Sequence, residues 1–122
     1  MSIAVHDQIE TIESGYEYLL AYAAQGKDTD ETGSGGASEV RTRLTAMAEA
    51  ALSIAGTLEG DNSTFGWVIV DDAKKARAAI SLVLEQKGIS SEMVDNLNAS
   101  IHLRALLTDL FLLSEAASTP DS

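Results

Sequence analysis

Apolar residues recur at steps of three and four along most of the chain. Val5, Ile9, Ile12, Tyr16, Leu19 and Ala23 form one seam, and Val40, Leu44, Met47, Ala51, Ile54 and Leu58 form a second. Ile69, Ala73, Ala76, Ile80, Val83 and Leu84 make a third. Such spacing keeps one stripe of an α-helix turned toward a neighbour, and it predicts helices over 3–25, 38–58 and 67–87. A fourth segment, 90–116, opens on Ser90, Ser91, Glu92 and Asp95, which suit a capped first turn. It continues with Val94, Leu97, Ile101, Leu103, Leu106, Leu107, Leu110, Phe111, Leu112 and Leu113, apolar around most of its circumference. Only Asn98, His102 and Asp109, read as a solvated edge, and Arg104 with Thr108 interrupt that surface.

Polar links separate the segments. Residues 27–37, acidic and rich in Gly and Ser, predict a flexible loop, and 117–122 predict a frayed tail. Gly26 suits the end of the first helix. Gly88 suits the end of the third, so the last two segments read as a hairpin. The expectation is one domain, 1–122, folded as an all-α, antiparallel up-down-up-down four-helix bundle.

Composition narrows the functional classes. The chain has 122 residues, no cysteine and a formal charge of −11. Without thiols there is no disulfide scaffold, thiolate metal site or cysteine nucleophile. The negative charge is concentrated in residues 1–39, net −7, and 78–122, net −4. Contacts to a nucleic-acid backbone need clustered Lys and Arg, so nucleic acid is not an expected partner. No apolar run is long enough to span a membrane, and no leader pattern is present, so a cytoplasmic protein is expected.

The last segment carries more apolar surface than one side of a bundle can bury. That surplus makes Leu103, Leu106, Leu110 and Leu113, with Tyr18 and Tyr22 of the first helix, the expected interaction surface of a homodimer. Arg104 lies in the apolar face and, if the first and last helices run straight and antiparallel, comes level with Gly15. There it is expected to form a buried ion pair with Glu13 or Glu17. Trp67, Tyr16, Tyr18 and Tyr22 are read mostly as core fillers, with Tyr18 and Tyr22 off the seam and able to join a contact surface. No catalytic constellation and no cofactor is assigned, so the leading expectation is a non-catalytic protein that works by binding protein.

Two short resemblances carry alternatives. Asp28, Asp30, Thr32, Gly33 and Glu39 have the spacing of a calcium loop and resemble that of EF-hand proteins. The resemblance implies calcium held by Asp28, Asp30, Thr32 and Glu39. Gly35 stands where that loop carries an aliphatic residue. A four-helix chain of this length with a helical His102 is also similar to histidine phosphotransfer domains, which implies His102 as phosphoacceptor. Ala105 and Leu106 stand where that family has lysine and glycine. His6 and Glu10 lie one turn apart but cannot hold a metal by themselves.

Overall fold

A computed structural model describes residues 3–31, 38–60 and 63–118. These residues form five α-helices and no strand: α1 (Ile3–Ala23), α2 (Glu39–Leu58), α3 (Thr64–Leu84), α4 (Ser91–Ala99) and α5 (Ile101–Ser118). The expected loop falls partly at 32–37, outside the described residues, as do tail residues 119–122.

Serine decides where four of the helices begin. Ser38, Ser63 and Ser90 are extended in backbone, and their Oγ atoms accept the N–H groups of Arg41, Gly66 and Met93 at 3.3, 3.1 and 3.0 Å. Each side chain thereby satisfies a first-turn donor that the helix itself leaves open. Ser63 starts α3 three residues before the expected Trp67. Ser100 does the same inside what the apolar pattern presents as one helix. Its φ of −64° and ψ of 140° are extended, and its Oγ accepts the Leu103 N–H at 3.3 Å. A short polar side chain that bonds to nearby backbone competes with helix continuation. The expected four helices are therefore five, because the last one is broken.

The packing follows from that break. α2 packs on α1 and α3, α4 lies mainly along α1, and α5 lies mainly along α3. The core gathers Ile12, Leu19, Leu44, Met47, Ile54, Ile69, Ile80, Leu103, Leu106 and Leu110, all essentially without solvent contact. Gly15 admits Met47: a Cβ on Gly15 would sit 2.5 Å from Met47 Cγ. Trp67 is exposed rather than a core filler.

One end of the molecule is stitched by polar groups. Asp30 is buried, and its Oδ2 accepts Ser38 O–H and Arg41 Nε–H, both at 2.7 Å, while Oδ1 accepts the Ile89 N–H at 2.8 Å. Arg41 also donates to the carbonyls of Leu84, Gln86 and Lys87 at 3.0, 2.6 and 2.9 Å, satisfying acceptors that the end of α3 leaves open. Tyr22 O–H donates to the Ile89 carbonyl at 2.7 Å, and Ser91 O–H to the Tyr22 carbonyl at 2.7 Å. Ser91 N–H donates to the Lys27 carbonyl at 2.8 Å, and Lys27 N–H to Ser91 Oγ at 2.9 Å. The link after α1, expected to be flexible from Lys27, is thus anchored at Lys27 and Asp30.

Burial alone would raise the Asp30 carboxyl. Hydrogen bonds from Ser38 and the Ile89 N–H, then the Arg41 contact and charge, outweigh it and bring the group from 3.8 down to about 2. The unfolded chain therefore takes up this proton first, and the stability it contributes is complete above about pH 4 and lost as pH falls toward 2. Urea denaturation should show a loss of about 2 kcal/mol across that window. Asp30→Ala should lower stability at pH 7 by about 2–4 kcal/mol and remove that acid-side loss.

Candidate functional site

The break at Ser100 gives α5 an inner and an outer wall. Leu103, Leu106, Leu107 and Leu110 are buried in the chain's own core. At 100° per residue, Ile101, Ala105, Thr108 and Leu112 fall within about 60° of one another on the opposite side. Phe111 lies at the margin of this strip. Ile101, Phe111 and Leu112 are 73%, 57% and 56% exposed, so α5 turns an apolar face to solvent.

This face differs from the expected one. Leu103, Leu106, Leu110 and Tyr22 are buried, and Leu113 and Tyr18 are half-buried, so they do not form the surface proposed from sequence. Tyr22 is held by its bond to Ile89. Tyr18 stacks on Tyr22 at 6.3 Å between ring centroids and lies 5.1 Å beneath the Arg43 guanidinium carbon. Arg104 is exposed, and it makes no ion pair with Glu13 or Glu17 among the described residues. The expected pairing assumed one straight last helix beside α1. With the helix broken, α4 takes that position, and Met47 fills the notch at Gly15.

The supposed solvated edge is also corrected. His102 is exposed, but Asn98 and Asp109 are only 6% and 7% exposed. Both amide atoms of Asn98 and Oδ2 of Asp109 are buried without a hydrogen-bond partner among the described residues. Asp109 instead meets the carboxylate of Asp72 across the α3–α5 contact. Burial first, then the hydrogen bond with Asp72 and its charge, push the Asp109 carboxyl from 3.8 up to about 7. A proton on Asp109 makes the contact an O–H···O bond; without it, two acceptors face each other.

Beside Asp109 the outer wall of α5 is hollowed. The hollow, about 590 Å³ and open to solvent, is lined by Ala99, Ile101, Arg104, Ala105, Thr108 and Asp109. Its wall is mainly apolar, with polar groups from Arg104, Thr108 and Asp109.

The remaining sequence candidates are placed elsewhere. Asp28 and Glu39 are exposed, Glu39 lies 3.3 Å from Arg43, and Thr32 is outside the described residues. Asp30 already has its acceptors filled by Ser38, Arg41 and Ile89, so the calcium set is not assembled. Among the described residues no three His, Asp or Glu side chains are grouped to hold a metal. Among them, too, no helix is long and apolar enough to cross a membrane. No family model, curated protein or solved structure matches the chain.

Asp109 and Asn98 make separable predictions for stability. The folded Asp109 holds its proton to a higher pH than the unfolded one, so its contribution falls as pH rises from about 4 to 7 and stays low above that. Asp109→Asn should therefore stabilise the protein by roughly 1–4 kcal/mol at pH 8 in denaturant titrations, and by much less at pH 5. Asn98→Ala removes two unpartnered polar atoms and should stabilise by about 1 kcal/mol equally at both values.

Proposed function

We propose that the chain is a small, acidic, non-catalytic cytoplasmic protein that acts by protein–protein interaction, and that its outer α5 face pairs with a second copy. The architecture proposed for it is an antiparallel up-down-up-down bundle, with α4 and α5 sharing the fourth position. The observation that carries the reading is the exposure of Ile101, Phe111 and Leu112 on one helix. Apolar side chains grouped in this way mark contact surfaces more often than isolated ones do.

Charge supports a second copy as the occupant. Arg104 and Glu115 fall within about 20° on one flank of the exposed strip, eleven residues apart. Two α5 helices related by a two-fold axis near Thr108 and Asp109 bring each Arg104 to within about 3 Å, along the helix, of the level of the other copy's Glu115. The same axis sets Ala105 against Leu112. Opposite charges at matching ends of a self-pairing face fit isologous association. A single helix-to-helix contact is small, and two chains of −11 repel, so the dimer is weak and tightens when salt screens the repulsion. Neither the charge nor the exposed face suits nucleic acid.

Sedimentation velocity tests the reading. The wild type should dimerise with a dissociation constant of about 10–100 μM, and Leu112→Asp should be monomeric with unchanged helicity. Arg104→Glu should weaken the dimer about tenfold, and adding Glu115→Arg should restore it. A wild-type chain that stays monomeric at about 500 μM in raised salt would remove the proposal.

A further inference from the structure

The hollow on α5 contains two polar groups that lack complementary partners. Asp109 lines it, is almost wholly buried, and has a buried oxygen without a donor; the Asp72 carboxylate of α3 stands against Asp109 but does not line the hollow. Arg104 lines it too, is exposed, and has no carboxylate partner among the described residues. Ala99, Ile101 and Ala105 provide an apolar lining, and Thr108 adds a hydroxyl. One end of the hollow thus needs donors, and the other can accept an anion.

We propose that this hollow binds a small aliphatic zwitterion, with its ammonium at Asp109 and its carboxylate at Arg104. An ammonium offers three N–H donors and takes the place of the Asp109 proton. The guanidinium presents a planar fork matched to a carboxylate. Arg104 and Asp109 are five positions apart, about 7.5 Å along the helix axis and about 140° around it, so an aliphatic stem of five or so carbons crosses Ile101 and Ala105 while the long Arg104 side chain reaches toward it. A plain amine leaves Arg104 unused, and a plain carboxylic acid leaves the acidic end without donors. The ligand uses Arg104 and Ile101, which the paired copy also needs, so the two occupants compete. The site does not depend on self-association.

6-Aminohexanoate is the probe, with hexylamine and hexanoate as its two halves. In titrations of the full chain at pH 7, followed by calorimetry and amide chemical shifts, 6-aminohexanoate should saturate with a dissociation constant of about 0.1–1 mM. Its shifts should centre on residues 101–109, and each half-probe should bind about tenfold more weakly or not at all. Asp109→Asn should abolish saturation, and Arg104→Ala should reduce 6-aminohexanoate to the level of hexylamine. Circular dichroism confirms that both variants remain folded. No saturation by about 20 mM, equal affinity for hexylamine, or unchanged binding by Asp109→Asn overturns the site. Sedimentation of the same samples separates this from the dimer reading: binding to a chain that never dimerises retains the site, and a dimer without binding retains only the pairing.

Discussion

A single buried carboxylate governs how the chain can close. Asp30 stands in the link after α1, yet its acceptors are filled by the cap residue of α2, by Arg41 and by the backbone of Ile89 before α4. Arg41 spends its other donors on carbonyls at the end of α3. Four helix termini are therefore tied through one oxygen pair. A buried charge is tolerable only when its hydrogen bonds are complete, and losing one partner leaves the others buried without a match. This requirement sets the level at which α1 ends and α4 begins, and Tyr22 and Ser91 hold the same junction from the other side. Where α5 can lie follows from where α4 starts.

The second buried carboxyl shows the opposite balance. Asp30 collects donors from three directions and its proton affinity falls to about 2; Asp109 meets another acid and its affinity rises to about 7. Burial disfavours the charged form in both cases, so the difference lies wholly in what stands opposite. With those signs, Asp30 contributes more as pH climbs toward 4, whereas Asp109 contributes less as pH climbs from 4 to 7. The sum of these two contributions is largest near pH 4–5. The acid side of that maximum belongs to the stitched end, and the neutral side to the α3–α5 contact.

The helical seams are legible in the sequence because they depend only on periodicity, and Val5, Ile9, Leu44, Met47, Ile69 and Ile80 are buried as their spacing implies. Local pattern is silent where a distant partner decides. Residues 27–31 read as a solvated acidic link, since nothing local reveals that the Asp30 partner at Ile89 lies fifty-nine positions away. Ser100 carried the same signal as Ser38, Ser63 and Ser90, a serine ahead of an apolar turn, but Leu97 and Ile101 continued the apolar rhythm across it. An unbroken apolar rhythm outweighs a single cap signal, and the expected places of Leu103, Leu106, Leu110 and Arg104 all follow from an unbroken helix. Gly15 does leave room for a side chain from a neighbouring helix, and Met47 takes it in place of Arg104.

The break also explains why α5 has an outer apolar face at all. In an unbroken helix, Ile101 would fall at an angle between Val94 and Leu97, both buried, and would enter the core with them. The extended ψ at Ser100 turns the chain before Ile101 is reached, so that Leu103, Leu106, Leu107 and Leu110 supply the inner wall and Ile101 is left outside. The exposed strip is therefore a product of one backbone angle more than of excess hydrophobic content. The hollow shares that origin, because Ala99 ends one helix and Ile101 begins the next on either side of the bend. Any role for this face, whether toward a second copy or a small ligand, consequently depends on Ser100 capping α5, although Ser100 does not line the hollow.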